Sequence, residues 1–452
     1  MMVLKFLLIS TFVLTWLRSR HSLRVEPSDF FVLSFLLIYV PGFLLNPSGQ
    51  TILNGLHLPQ AAVTRAEVAM LVVLALGALL FLLRRHVELR FASLRTHREI
   101  VSSRRMSVSL AVAAAGVLAV VCVSFMVAPD FRQFKSDILR FMTFQFEGSD
   151  YRLLRNERYS NDWFLESVIG RLRFTLFPIL FCLVLYPLLK ASRMVPAVVV
   201  AVVIFLALPA SLSKLPIFFF LGYAAILCAT RYPRCLDIRL LCAMLVLATV
   251  MIVTMLILLY TAQYQSAVIS GAILPLNLAI ERIWGETYSV IVRYFSVYPE
   301  MLPYTGWSGI NMLAKVLGLA PRLPDIEVAR TLLGPDSGSN PGIYFLGGYA
   351  AFGMGGLCLF AVLGPLLLWM LDLLGRRIRA APLQATFLAV VGMNGVFLNQ
   401  IAMQTALLTY GLAVVPLLLF VLDRVLCRIW CGRGEREGGD QIGQAGGASG
   451  AR

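Results

Sequence analysis

Residues 240–262 read LLCAMLVLATVMIVTMLILLYTA and contain no charged side chain. A helix needs about 20 apolar residues to cross the hydrocarbon core of a bilayer, and this stretch supplies them. Because lipid offers no water to its backbone N–H and C=O groups, the segment has to satisfy them internally as an α-helix. The stretch therefore predicts an integral membrane protein.

Comparable apolar runs recur along the whole chain, which is 59% hydrophobic and only 14% charged. A soluble protein of this length cannot bury so much apolar surface. We count about eleven runs long enough to span a bilayer, and we predict an all-α polytopic membrane protein. Proline residues interrupt the apolar run 194–229 between Pro209 and Pro216, which predicts a hairpin or a discontinuous helix. The predicted spans are 2–17, 29–46, 66–83, 107–127, 173–189, 194–211, 215–229, 240–262, 342–373, 383–400 and 405–423.

Basic side chains predict the orientation of the chain in the membrane. With eleven spans, all the arginine and lysine clusters fall on one side, and the positive-inside rule makes that side the cytoplasm. The N-terminus is then outside and the C-terminus inside. The net charge of +15 follows from this topology, so we predict no nucleic acid partner. The clusters lie at 18–24, 84–105, 190–193, 231–239, 376–379 and 424–436.

Two long segments separate the spans on the predicted outer face. Neither contains a cysteine, so no disulfide framework is expected there. The tail from Gly432 onward is rich in glycine and is predicted to be disordered. The predicted organisation is 1–127 N-terminal spans, 128–172 first outer loop, 173–262 central spans, 263–341 long outer loop, 342–424 C-terminal spans and 425–452 cytoplasmic tail.

The long outer loop distinguishes this chain from a pore or a simple carrier. Its first part, 274–297, predicts a helix on which Arg282, Glu286 and Arg293 share one face. A second helical piece is predicted at 309–319, and the proline-rich remainder is predicted to be irregular. A loop of this length with its own short helices usually covers or forms a site. We therefore expect chemistry at the membrane surface.

Outer-face cations are the first candidates for binding an anionic substrate. The guanidinium group stays charged and presents a donor fork that fits phosphate oxygens. Ion pairs with neighbouring glutamates, or contacts with lipid headgroups, are the alternative role for each arginine. Lys214 lies at the predicted break between two spans, where it either reaches out to water or meets an anion from the outer leaflet. The arginines are Arg152, Arg155, Arg158, Arg282, Arg293, Arg322 and Arg330.

Several outer-face carboxylates could accept a proton, and their spacing favours none of them. The sequence contains no metal-binding cluster, nucleophilic triad or glycine-rich phosphate loop, so no metal or cofactor is predicted. Six glycines between Gly342 and Gly356 allow close helix packing or the approach of backbone to a ligand. The candidate carboxylates are Glu281, Glu286, Asp325, Glu327, Asp162 and Glu166.

These features together resemble the Wzy, or O-antigen polymerase, family of oligosaccharide repeat-unit polymerases. The resemblance covers the size of the chain, its many spans and its long late outer loop. Locally, 210–216 is similar to a small-residue segment of the family, with Lys214 in place of the usual arginine. Glu281-Arg282, followed by 294–299 and Gly306, is similar to the start of the family's long loop. The span start Tyr-x-x-Phe-Gly-x-x-Gly is present as Tyr349, Phe352, Gly353 and Gly356.

The resemblance implies a GT-C-type glycosyltransferase of the bacterial inner membrane. It would join undecaprenyl-pyrophosphate-linked glycans by attack of a sugar hydroxyl on an anomeric carbon. Cations would stabilise the departing pyrophosphate, and a carboxylate would accept the hydroxyl proton. A chain-length regulator protein is a candidate partner besides the bilayer. The candidate catalytic residues are Arg282, Glu286 and Glu281, and the candidate substrate-binding residues are Lys214, Arg155, Arg158, Arg293, Arg322, Arg330 and Tyr349.

Three other functions compete with this interpretation. An O-antigen ligase has a similar architecture, but its family pattern expects a histidine in the long outer loop, and 263–341 contains none. A lipid-linked oligosaccharide flippase or polysaccharide transporter would favour internal repeats and charges near the bilayer midplane. A non-catalytic partner in polysaccharide export is the third alternative.

Overall fold

The computed structural model describes residues 2–20, 25–45, 57–91, 104–127, 175–193, 195–196, 214–231, 280–335, 342–408 and 411–445. Within these ranges the chain is helical and forms no β-strand. The helices are α1 Met2–Ser19, α2 Pro27–Leu45, α3 Gln60–Arg90, α4 Arg104–Val127, α5 Leu176–Lys190, α6 Lys214–Arg231, α7 Glu286–Val297, α8 Asn311–Val316, α9 Pro324–Leu333, α10 Tyr344–Arg377, α11 Ala381–Val396, α12 Met403–Leu408 and α13 Val414–Ala445.

Five helical segments in the described part of the chain are long and apolar enough to cross a membrane. They are α1, α2, α3, α10 and the stretch 381–399 that contains α11. This supports an all-α membrane protein, while eleven spans and a GT-C fold stay predictions. The predicted span 240–262, most of 194–211 and the first outer loop 128–172 lie outside the described residues.

Two predicted boundaries can be compared with the helices. Helix α6 begins at Lys214, where the sequence predicts a break between two spans. Helix α13 continues to Ala445, past Gly432, where the sequence predicts disorder. A helix that is already nucleated adds each further residue at a small cost, which accounts for its extension into the polar tail.

The chain divides into two compact units. The first consists of residues 1–96, 233–372 and 394–408. In this unit α1 packs along α3, and the Phe12 ring fills the space beside Gly77, where a Cβ would lie 2.6 Å from the ring. Helix α2 runs antiparallel to both. The C-terminus of α2 and the N-terminus of α3 therefore lie together, at what we term the Leu45 end.

The second unit consists of residues 97–232, 373–393 and 409–452. Helix α5 packs against both α4 and α6. Asp423 of α13 fixes the turn before α11, because its carboxylate accepts the backbone N–H groups of Arg379 at 3.0 Å and Ala380 at 2.7 Å. This buried carboxylate satisfies backbone donors that would otherwise lack partners.

Helix α10 contains a reversal, so the part of the span predicted at 342–373 that can cross a membrane is the arm that begins at 354. Phe352 and Gly353 have non-helical backbone angles, and Gly353 has a φ of 64°. A Cβ at Gly364 would lie 2.5 Å from the Tyr344 ring. In a straight helix the two positions would be about 30 Å apart. The chain therefore reverses at Phe352–Gly353, and residues 344–351 pack against the arm that begins at 354.

The first arm of the hairpin is buried over its whole length, from 342 to 351. Tyr344 meets Phe31 of α2 at a centroid distance of 5.6 Å. A chain segment that enters the hydrocarbon region without crossing it is tolerated only where protein surrounds its backbone. The first arm meets this condition because it is buried. Its glycines permit the close approach of the two arms that a larger residue would prevent.

The segment 280–335 folds over the Leu45 end. A π-helical turn at Glu281–Gly285 leads into α7, so the helix predicted over 274–297 is present from residue 280 onward. The Trp284 indole donates a hydrogen bond to the Leu37 carbonyl at 2.7 Å, and the Tyr288 ring lies 5.9 Å from that of Phe43. These contacts attach the start of the segment to α2.

One part of this segment differs from its prediction. The sequence predicts an irregular stretch after Pro321, but α9 forms there. Pro324 occupies the first turn, where its missing N–H costs nothing. Asp325 and Glu327 follow in that turn and Arg330 lies in the last, an order that suits the helix dipole. In the sequence, the density of proline obscures these signals for a helix.

Candidate functional site

Arg293 and Glu286 form a buried ion pair on α7. The Arg293 guanidinium donates to both carboxylate oxygens of Glu286, at 2.9 and 3.0 Å. The Arg293 side chain is 3% exposed and that of Glu286 is 19% exposed. The shared helix face predicted for these residues is confirmed. Because Arg293 lies under the surface, it orients the Glu286 carboxylate, which is the more accessible member of the pair.

Glu327 of α9 joins two residues that precede it in the long loop. Arg322 pairs with it through two bonds of 2.7 Å, and the Tyr298 hydroxyl donates to it at 2.7 Å. Tyr349, on the first arm of α10, donates to the Tyr298 carbonyl at 2.9 Å. The fold thus brings Arg322 and Tyr349, both predicted to bind substrate, to either side of Tyr298.

Burial raises the pKa of two groups in this part of the segment. It raises the pKa of the Tyr298 phenol, and the hydrogen bond to Glu327 raises it further. It also raises the pKa of the Asp325 carboxyl, against the backbone N–H groups of Asp325 and Ile326, which lower it. Tyr298 therefore stays a neutral donor at physiological pH.

The sequence did not single out Arg65 and Glu300. Arg65, on the first turns of α3, pairs with Glu300 at 3.0 Å and donates to the Phe295 carbonyl at 2.9 Å. The two side chains are 34% and 60% exposed, so an anion can reach this guanidinium. Arg65 lies immediately before an apolar run and reads as an ordinary helix-end cation. Only the packing of α7 on α3 shows that it belongs with the long loop.

Aromatic rings cover the apex of the α10 hairpin. Tyr304 meets Tyr349 edge-on at 5.9 Å, and Trp307 meets Phe352 at 4.8 Å. The Thr305 backbone N–H donates to the Ala350 carbonyl at 2.9 Å. The apex, the Arg65–Glu300 pair and the Tyr298–Glu327 group therefore lie at the same end of the first unit.

The remaining predicted residues lie in different places. Glu281 is half-buried in the π-helical turn, and Arg282 follows it there, although the position of the Arg282 side chain is not described. Arg330 is exposed on α9. Lys214 opens α6 in the second unit. Arg155 and Arg158 lie outside the described residues. The structure thus brings Glu286, Arg293, Arg322 and Tyr349 together at the Leu45 end, with Tyr349 buried, and the catalytic and binding roles of all the named residues stay predictions.

A second charged cluster lies at the opposite end of the first unit. Arg84 of α3 binds Glu26 at 2.6 Å, Asp372 of α10 at 2.7 Å and Glu88 at 3.0 Å. Ser28 donates to Asp372 at 2.5 Å. The Arg84, Glu88 and Asp372 side chains are at most 5% exposed. This cluster ties α2, α3 and the second arm of α10 together, and the sequence did not predict it.

No protein family, curated protein sequence or solved structure matches this chain. In the described part of the chain, no three histidine, cysteine, aspartate or glutamate side chains are grouped as a metal site would require. The polar groups at the Leu45 end are the candidate site.

Proposed function

We propose that this protein is a membrane glycosyltransferase that polymerises undecaprenyl-pyrophosphate-linked oligosaccharide repeat units into a surface polysaccharide. The reaction would take place at the outer face of the bacterial inner membrane, with the Leu45 end on that side. The observation that carries the proposal is the folding of residues 280–335 over apolar helices, which brings cations, carboxylates and tyrosines together at the Leu45 end. A purely structural loop has little need for such a set.

The departing group is a pyrophosphate, so the site needs accessible positive charge. Arg65 and Arg322 are the suitable described groups, because each side chain is about one-third exposed at this end. Arg282, Lys214, Arg330, Arg155 and Arg158 are further candidates from the sequence. Pre-positioned cations favour the transition state because negative charge develops on the leaving oxygen as the anomeric carbon–oxygen bond breaks.

The attacking hydroxyl must lose a proton, and Glu286 is the carboxylate best placed to take it. Two hydrogen bonds from Arg293 fix the orientation of the Glu286 carboxylate. Glu281, one helical turn earlier, is the alternative. In this scheme the terminal sugar hydroxyl of one lipid-linked glycan attacks the anomeric carbon of another. The carboxylate takes the proton, and undecaprenyl pyrophosphate leaves with the electron pair of the broken bond.

Placement of the substrates would supply much of the rate enhancement. Both glycans are anchored by their lipid tails, so a site at the membrane surface meets them at a high local concentration and in a restricted orientation. Tyr304, which is 40% exposed at the hairpin apex, offers a hydroxyl group and a ring face to a sugar. No metal ion is needed in this scheme, since the guanidinium groups neutralise the phosphate oxygens.

The test is an assay of the purified protein with an undecaprenyl-pyrophosphate oligosaccharide built by the enzymes encoded beside its own gene. A ladder of glycans differing by one repeat unit is the expected product. Transfer of one intact glycan to a different acceptor would instead identify a ligase. Failure of both reactions in a folded sample, as judged by its unfolding transition, would refute the proposal.

A transporter of lipid-linked oligosaccharide is the second candidate, and two observations favour it. Ionisable residues buried within membrane helices are costly and often serve transport, as the Arg84 cluster would. The hairpin at Phe352–Gly353 is a broken helix of the kind that transporters use. Movement of labelled lipid-linked glycan across liposomes that contain the protein, without the formation of longer glycans, would support this function against the polymerase.

A further inference from the structure

Residues 301–324 form an unusually apolar stretch within the long loop. They include only two charged residues, Lys315 and Arg322, and no acidic one. The flanking residues Glu300 and Asp325 are acidic. The stretch begins after α7 and ends at Pro324, the first residue of α9. It contains a 3₁₀ helix at Gly306–Gly309 and the short α8.

Many of the large apolar side chains in this stretch are exposed, whereas Ile310 and Ala314 are buried beneath them. Val316 is 74% exposed, and Trp307 and Leu317 are each more than half exposed. Isolated exposed apolar residues are ordinary on protein surfaces, but a contiguous set marks an interaction surface. The exposed set is Met301, Tyr304, Trp307, Leu313, Val316, Leu317, Leu319 and Leu323, which we term the 301–323 surface.

We propose that the 301–323 surface lies in the membrane interface and binds phospholipid, so that the loop is anchored to the bilayer in which the spans sit. Phospholipid is the expected ligand because this surface is continuous with apolar side chains that are exposed on a predicted membrane span. Trp307 packs on Phe352, and the second arm of α10 leaves that apex with Met354 and Leu359 exposed. The exposed apolar side chains of the loop therefore adjoin those of a predicted span.

The charge and residue types of the surface agree with a lipid interface. Tryptophan and tyrosine favour the headgroup level, where an apolar ring and a polar atom are both satisfied. Lys315 is exposed on α8 and carries the charge that anionic headgroups attract. Since no acidic side chain lies between 301 and 324, nothing in the stretch repels those headgroups. Leucine and valine side chains would enter the boundary of the acyl chains.

The test maps lipid contacts on the full chain. The protein is reconstituted in vesicles of phosphatidylcholine and phosphatidylglycerol that contain a trace of phosphatidylcholine with a diazirine near the top of its acyl chain. After illumination, mass spectrometry locates the adducts. Leu359, exposed on the second arm of α10, is the internal reference for lipid contact. Thr331, exposed on α9 outside the proposed surface, is the reference for a residue facing water.

We expect adducts across 313–319 with yields within about threefold of those at Leu359, and few at Thr331. In the double variant Val316→Asp, Leu317→Asp the labelling of 313–319 should fall by at least about fivefold, while Leu359 labelling stays unchanged. Thr331→Asp is the matched control and should change neither. Because the readout is lipid contact, it does not depend on whether the protein polymerises glycans.

Two results would overturn the proposal. One is labelled Leu359 with an unlabelled 313–319 segment, which would place the surface in water. The other is cross-linking of that segment to a second copy of the chain when the same vesicles are treated with a bifunctional lysine reagent that reaches Lys315, which would make the surface a protein interface. If the double variant fails to fold, the map of the unaltered protein decides by itself.

Discussion

The backbone of Gly348 lies against that of Gly356 on the opposite arm of α10, with no space for a side chain at either position. A Cβ at Gly348 would also lie 2.8 Å from the Phe360 ring, and one at Gly356 would lie 2.9 Å from the Phe352 Cβ. This contact holds the reversal at Phe352–Gly353 and sets the height of the apex beneath Tyr304 and Trp307. The glycine-rich run therefore serves close packing.

Gly348→Ala should destabilise the protein by about 1–3 kcal/mol, because the new methyl group overlaps the opposite arm. The measurement is the unfolding transition in detergent. Gly355→Ala is the matched control, since its Cβ would enter open space. It should leave stability unchanged or raise it by about 0.5 kcal/mol, because alanine restricts the unfolded chain. Equal effects of the two substitutions would argue against the hairpin contact.

Arg84→Ala should cost about 3–5 kcal/mol, because it leaves three carboxylates near one another in a buried site without their cation. Arg85 is adjacent, carries the same charge and is exposed. Arg85→Ala should therefore change stability by less than about 0.5 kcal/mol. Chemical unfolding of both variants in the same detergent gives the comparison. A small effect of Arg84→Ala would show that the cluster is open to water.

Glu327→Gln should lower stability by about 1 kcal/mol, because the bidentate pair with Arg322 is lost while one oxygen remains for Tyr298. Glu300→Gln removes a more exposed ion pair, with Arg65, and should cost less than about 0.5 kcal/mol. Thermal unfolding of the two variants compares a pair held by two hydrogen bonds with a pair whose glutamate is mostly exposed. The reverse order would show that the Arg65–Glu300 pair is the one that holds the loop.

The substitution Asp325→Asn should raise the melting temperature at pH 7. Because burial raises the pKa of Asp325, the folded state binds this proton more tightly than the unfolded state does. Stability from this group is therefore present below the unfolded pKa and is lost as the pH rises through the folded pKa. The advantage of the asparagine variant should shrink as the pH falls toward about 4. An advantage that is constant with pH would assign the effect to packing.

If the proposed polymerase function is correct, Lys214→Ala and Arg282→Ala should abolish the glycan ladder, and Arg65→Ala should slow its formation. Loss of a group that stabilises developing charge costs about 100-fold or more in rate. Arg85→Ala and Lys315→Ala remove equally long cations outside the proposed site and should retain the ladder. Retention of full activity in Lys214→Ala and Arg282→Ala would exclude these two residues from the reaction.

The sequence alone determined that this is a helical membrane protein with a long polar segment between two apolar runs. That conclusion needs only length and composition, because a bilayer requires continuous apolar helices. The i, i+7 spacing of Glu286 and Arg293 also predicted a shared face correctly, since it depends on helix geometry alone.

Tertiary structure decided which distant residues meet. Arg65 with Glu300, Tyr298 with Tyr349, and Arg84 with Asp372 are contacts between elements far apart in the chain, and no local pattern specifies them. The hairpin in α10 was missed for the same reason. Its apolar composition is that of a continuous span, and only the opposed glycines and the left-handed backbone of Gly353 reverse the chain. Local hydrophobic periodicity determines which helices form. Side-chain packing between the helices determines where buried charged residues and breaks in a helix are tolerated.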